Sequence, residues 1–150
     1  MTENSPQPKN FSIRREAAPD SGQMTREALA AEVASEFGPR EESAFVLAAR
    51  DASGGWIGGI NGLIHWRWLY VAQFVVASDW RGKGLGRALL AEAESLAREN
   101  GCVGIYLDTF SPRALDFYRA NGFVVAGQIA NFPPGAARTY LSKALCIFRN

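Results

Sequence analysis

The stretch SDWRGKGLGRALL, residues 78–90, sets glycines at 82, 84 and 86 between Arg81 and Arg87 and runs into a leucine-rich segment. Fixing a glycine costs more backbone entropy than fixing any other residue, so three at alternate positions require a reason. Two are open: a tight turn alone, or close approach of the backbone to a ligand. A helix beginning here presents unbonded amides and the positive end of its dipole. With Arg81, Lys83 and Arg87 beside it, the ligand implied is an anion, a phosphate above all.

Two familiar phosphate loops do not fit. A Walker loop needs G-x-x-x-x-G-K-[ST], whereas Lys83 stands between glycines with no hydroxyl residue after it. A dinucleotide fingerprint needs G-x-G-x-x-G, and its third glycine would fall on Arg87 or Leu89. Asp108 lies at the distance of a ribose-binding acid. The segments before the loop, however, read as a meander and not as a βα repeat.

Working outward from the loop, Leu85, Leu89, Ala93 and Leu96 step at helical spacing, and Asn100-Gly101 ends the helix. Upstream, Ser43–Arg50 and Trp56–Trp66 read as strands joined by a turn at Asp51–Gly55. The apolar run Trp68–Ala77 predicts a central strand covered on both faces. Downstream, Val103–Leu107 is a short buried strand, and Ser111-Pro112 caps and opens a helix that Asn121-Gly122 ends. Phe123–Ile129 and Arg138–Leu145 are further strands around a loop at Pro133–Gly135. Near the start, Phe11–Arg15 alternates like a first strand, and Met24, Leu29, Val33 and Phe37 mark a helix over 22–37. Residues 1–10 read as a flexible tail and 11–150 as one mixed α/β domain.

The totals narrow the function. With 150 residues, 47% hydrophobic and 21% charged, the chain suits one domain with a real core. A net charge of +1 gives no field for nucleic acid or an anionic membrane. No apolar run spans a bilayer and no signal-peptide core precedes the domain, so a cytoplasmic protein is expected. Cys102 and Cys146 form no zinc pattern and are expected as free thiols. His65 is the single histidine, which excludes a multi-histidine metal site, and no G-x-S-x-G elbow accompanies it.

The pattern Arg81-x-x-Gly84-x-Gly86, following Phe74-Val75-Val76, resembles the acetyl-CoA pyrophosphate loop of the GNAT superfamily of acyl-CoA-dependent N-acetyltransferases. Ala114-Leu-Asp-Phe-Tyr118-Arg-Ala-Asn-Gly122-Phe123 resembles the superfamily's second motif, and Pro134–Leu145 its final strand. The resemblance spans residues 11–145. It implies an α/β (α+β) fold with a central twisted sheet of about six to seven strands. An antiparallel N-terminal meander, a parallel splayed pair at the CoA site and helices on both faces complete that architecture.

It also implies roles. The backbone of Phe74, Val75 and Val76 would pair with the pantetheine arm, with an amide near Val76 as oxyanion donor. Arg81, Gly82, Lys83, Gly84, Leu85, Gly86 and Arg87 would cradle the pyrophosphate of acetyl-CoA, the acyl-donor cosubstrate, with no metal. Ser111 stands where many relatives place a CoA-contacting asparagine, and also reads as a helix cap. Tyr118 matches the general acid that protonates the leaving thiolate, and would touch the cofactor. The base is not evident: Val71-Ala72-Gln73 carries no carboxylate where relatives often have one, and Asp108 and Glu36 are remote candidates. His65–Tyr70 is aromatic and reads either as an acceptor pocket or as core. The implied reaction is transfer of an acetyl group to a primary amine within a ternary complex. A catalytically weak acyl-CoA-binding module or sensor is the alternative, an interaction protein a third, and homodimerisation is implied by resemblance alone.

Overall fold

Asp51 closes the first hairpin by accepting, at Oδ1, the backbone N–H groups of Ser53 and Gly55 at 2.9 and 2.8 Å. This Asx-type turn joins β1 (Ser43–Arg50) to β2 (Trp56–His65) in the computed structural model, which describes residues 10–17 and 19–145. The expected tail at 1–10 falls, except for Asn10, outside the described residues, as does Cys146. A two-residue turn at Trp66 and Arg67, φ +44° and +62°, then reverses the chain into β3 (Trp68–Val76). Positive φ at both central residues matches the right-handed twist of a hairpin.

A single 3-10 turn at Ser78–Trp80 leads through the glycine loop into α2 (Leu85–Glu99), which crosses over to β4 (Gly104–Thr109). Next come α3 (Pro112–Ala120), β5 (Val124–Ala130) and β6 (Ala137–Ala144). Preceding them all is α1 (Pro19–Phe37). The six strands form one mixed sheet in the order β1-β2-β3-β4-β6-β5, with β3 and β4 its parallel pair. Leu89, Leu90, Ala93 and Ala97 of α2 are buried in one cluster with Ile60, Leu69, Ile105, Leu107 and Leu141 of the sheet. Burial of each large side chain stabilises the fold by about 1.5–3 kcal/mol.

The residues up to Pro39 and those from Arg40 onward form two compact units. In the first, α1 contains the helix expected over 22–37, but none of its residues is buried. Met24 and Leu29 remain exposed, so the apolar spacing covers no core. The strand expected at Phe11–Arg15 does not form. Phe11 and Ile13 are 83% and 90% exposed, and two apolar residues without a neighbouring strand have neither a ladder nor a face to bury.

The expectation for β3 also needs correction. Only Leu69 and Val71 are buried, and the second half of the strand opens to one side. The cause is its divergence from β4, which creates the candidate site.

Candidate active site

The parallel pairing of β3 with β4 lasts three residues: Trp68 with Gly104, Leu69 with Ile105, Tyr70 with Tyr106. Beyond Tyr70, β3 runs six more residues held by β2 alone. A β-bulge drives the separation. Asn61 pairs with Gln73 and Gly62 with Val71, so Ala72 is an extra residue. Bulges bend a strand and increase its local twist. Gly62 permits this one, because a Cβ there would overlap the Tyr70 carbonyl oxygen and lie 2.9 Å from the Ala72 nitrogen.

The gap so formed is a cavity of about 380 Å³ lined by Phe74, Val75, Val76, Arg81 and Gly86 on one side. Ser111, Arg113, Ala114, Phe117 and Tyr118 close the other. Val75 points to the opposite face of β3 from Phe74 and Val76, yet all three line the space, so the cavity enters the plane of the sheet. A second cavity of about 510 Å³ continues over the loop, lined by Val76, Trp80, Arg81, Gly82, Gly84, Gly86, Arg87 and Phe117.

Gly84 is the N-cap of α2 in a left-handed conformation, φ +85°, and supplies no capping side chain. The first intrahelical bond is from Ala88 N–H to the Gly84 carbonyl at 3.0 Å. The amides of Leu85, Gly86 and Arg87 therefore lack intrahelical acceptors, and no acidic residue occupies the first turn. A Cβ at Gly86 would sit 3.6 Å from Phe117 and 3.7 Å from Val76, narrowing the passage between the two cavities. Arg81 Nε donates to the Val76 carbonyl at 3.1 Å, and the Lys83 ammonium lies 5.4 Å from the centre of the Trp80 ring. Leu85 turns its side chain into the core, leaving only its backbone to the loop.

Ser111 is the N-cap of α3, its Oγ accepting the Ala114 N–H at 3.3 Å, and it also lines the cavity. Two turns later, Tyr118 packs among Phe74, Phe117 and Phe123, with ring centroids 6.3, 5.4 and 5.6 Å away. Lys143 steadies the helix end: its ammonium donates to the Asn121 carbonyl at 2.9 Å and pairs with Glu94 of α2. No polar side-chain atom sealed from solvent in the described residues lacks a hydrogen bond, and none to a described residue is formed by the Tyr118 hydroxyl. It therefore opens onto the cavity. Burial, and secondarily the charge of Asp108, push its pKa up to about 12, so the phenol stays protonated at any physiological pH.

Across the sheet, the aromatic stretch at 65–70 meets β4. Tyr70 stacks on Tyr106 with centroids 4.8 Å apart, at the last β3–β4 pair. His65 Nδ1 lies 3.0 Å from Arg40 Nη2, and Nε2 lies 2.8 Å from the Tyr106 hydroxyl. A guanidinium only donates, so Nδ1 accepts and Nε2 carries the proton given to Tyr106. Burial first, then the Arg40 charge, hold the His65 pKa below its ordinary value. His65 thus ends β2 as a strand residue tied into a wall.

Asp108, a remote candidate by sequence, sits just past the point where β4 leaves β3, and its carboxylate pairs with Arg138 at 2.7 Å. Arg138 itself carries no local sequence signal; only the antiparallel pairing of β4 with β6, residues thirty apart, brings it to the site. Glu36 belongs to the exposed helix of the first unit.

A mixed sheet splayed at one parallel pair, a glycine-lined helix start at the mouth and a phenol in the gap define an acyl-CoA-type acyltransferase scaffold. The family model for the acetyltransferase (GNAT) family matches residues 10–123, and the chain belongs to that family. It is 33% identical to acetyltransferase Atu2258 of Agrobacterium fabrum over 89% of this chain and 98% of that protein. It is 40% identical to blasticidin-S acetyltransferase of Streptomyces morookaense, over 59% of this chain and 65% of that protein. A crystal structure of an acetyltransferase from Bacillus cereus superposes with a TM-score of 0.84 at 25% identity, covering 89% and 98% of the two chains. The chain is therefore an acetyltransferase of the GNAT family.

Proposed function

We propose that the protein is an N-acetyltransferase that moves an acetyl group from acetyl-CoA to a primary amine by direct attack in a ternary complex. The observation that supports it most is the end of β3–β4 pairing at Tyr70–Tyr106, which leaves a gap running from the Tyr118 hydroxyl to the amides of the glycine loop. Acetyl-CoA supplies the acyl group and departs as the thiol.

The residues present suit that cosubstrate. The uncapped amides from Leu85 to Arg87, with the dipole of α2 and the charges of Arg81, Lys83 and Arg87, would bind the pyrophosphate. Backbone groups of Phe74–Val76 that β4 leaves unpaired would pair with the amides of the pantetheine arm, the Val76 carbonyl already accepting from Arg81. An N–H near Val76 would donate to the thioester oxygen as negative charge develops there. Ser111 would contact the cosubstrate while capping α3. Tyr118 would hydrogen-bond the sulfur as it leaves.

No helix among the described residues is long and apolar enough to cross a membrane, and we place the reaction in the cytoplasm. The test is calorimetry with CoA followed by thiol release from acetyl-CoA across a panel of amines. Saturable CoA binding and amine-dependent thiol release are expected. An absence of CoA binding at millimolar concentration rejects the reading.

A further inference from the structure

The acceptor is the open part of that reading, and the inference that follows rests on it. Past Tyr106, β4 continues as Leu107, Asp108 and Thr109 with no β3 partner. Leu107 is buried in the core, so the alternation of the strand turns Asp108 to the other face, the face of the Tyr70–Tyr106 stack. There Asp108 Oδ2 accepts a single hydrogen bond, from Arg138 Nε. Oδ1 and the two terminal guanidinium nitrogens make no hydrogen bond to a described residue.

Aromatic rings surround the pair. The side chains of the pair are only 10% and 26% exposed. Three rings hold the guanidinium: Phe110, Phe132 and Tyr140, at 5.4, 5.1 and 5.2 Å from its carbon to their centroids. Phe110 and Phe132 stack at 5.6 Å and still expose 47% and 42% of their surface. A flat apolar shelf thus lies against an ion pair whose unused acceptor and donors sit side by side. Asp108 also stands two residues past the last β3–β4 pair, on the part of β4 that has left β3.

A ligand with one charge matches this ion pair poorly. A simple amine would leave the free N–H groups of Arg138 desolvated and unmatched, and a simple acid would face the Asp108 charge. A ligand with an ammonium and a carboxylate on one carbon matches both. We propose that the acceptor is an α-amino acid with a flat apolar side chain. Its ammonium would lie at Asp108, its carboxylate at Arg138 and its side chain on the Phe110–Phe132 shelf. The nitrogen forms the new C–N bond as the thioester C–S bond breaks. Two protons leave the nitrogen and one is taken up by the sulfur, so the products are the N-acetyl amino acid, CoA thiol and one proton released to solvent.

The test compares L-phenylalanine with 2-phenylethylamine, the same amine without its carboxylate, using the full chain and saturating acetyl-CoA. The expected kcat/KM for L-phenylalanine is higher by about 10- to 100-fold, the usual value of a hydrogen-bonded charge pair. In Arg138→Met that ratio should collapse toward one, and Arg138→Lys should restore part of it. If Arg138→Met fails to fold, the wild-type ratio and the lysine variant carry the decision. Equal use of the two amines, or a ratio unchanged in the variants, overturns the proposal. Calorimetry separates the levels. CoA binding with no acetylation of L-phenylalanine rejects the acceptor assignment alone, whereas absent CoA binding rejects the cosubstrate reading and this inference with it.

Discussion

Arg81 reaches back from the glycine loop and donates, through Nε, to the carbonyl oxygen of Val76 at 3.1 Å. The bond ties the loop to the end of the strand that splays, so the two walls of the proposed cosubstrate groove are fixed relative to each other. Nε is spent on Val76, and the terminal nitrogens remain for phosphate. Arg81→Met should raise the CoA dissociation constant by about 10- to 100-fold, as expected for a charge-assisted hydrogen bond. The melting temperature should change by only a few degrees, because this bond is exposed. Unaltered affinity by calorimetry would leave Arg81 a purely structural tie.

Gly84 tests the loop itself. Its left-handed φ of +85° tolerates aspartate better than most residues, and a Cβ there would meet nothing. Gly84→Asp should therefore fold at a cost of about 1–2 kcal/mol, a drop of about 2–8 °C in melting temperature. Its carboxylate would stand where the helix start attracts anions, and CoA binding should be lost. Calorimetry on the folded variant checks this, and wild-type affinity would reduce the loop to a turn.

What was legible in the sequence was local. The Asp51 turn, the Ser111-Pro112 cap and the leucine stripe of α2 each depend on residues within a few positions, and each forms where expected. The opening of β3 was not legible. Trp68–Ala77 reads as a continuous apolar run whether or not β4 lies beside its second half, and that is set by one extra residue at Ala72. The Trp66–Arg67 turn lacks the Asn-Gly signal; its positive φ values are held instead by nonlocal bonds, Trp66 N–H to Arg40 and Val103 N–H to the Arg67 carbonyl. Tyr118 was legible through its motif, whereas Asp108–Arg138 exists only once β4 and β6 pair.

Gly62 makes that bulge testable. Any Cβ there collides with backbone at Tyr70 and Ala72, which cannot rotate away as a side chain can. Gly62→Ala should destabilise the protein by about 1–3 kcal/mol or more, as overpacking does, and weaken CoA binding by closing or distorting the gap. Gly127→Ala is the control, since a Cβ at that strand position meets nothing. Equal denaturation midpoints for the two variants would show that the bulge adapts freely.

Tyr118 carries the last prediction. Its phenol, held at a pKa of about 12 by burial and then by Asp108, is a donor that never ionises under working conditions. Full proton transfer to a thiolate with a pKa near 8.5 would run uphill by about 3.5 units, about 5 kcal/mol. The useful contribution is then a hydrogen bond to sulfur as charge builds, so Tyr118→Phe should lower kcat by about 100-fold, the lower end of general-acid effects. CoA affinity should persist, a loss confined to turnover being the mark of an interaction made mainly in the transition state. The fold should persist too, since the ring packing is kept and the hydroxyl has no partner among the described residues. An alkaline experiment separates this from a structural role. The folded pKa lies above the unfolded value of about 10, so the linked stability is complete below pH 10 and is lost as pH rises to about 12. Two units correspond to about 3 kcal/mol. The melting temperature of the wild type should therefore fall more steeply between pH 9.5 and 11.5 than that of Tyr118→Phe. Parallel melting curves over that range would mean that the phenol titrates normally, and unchanged turnover in the phenylalanine variant would remove Tyr118 from the chemistry.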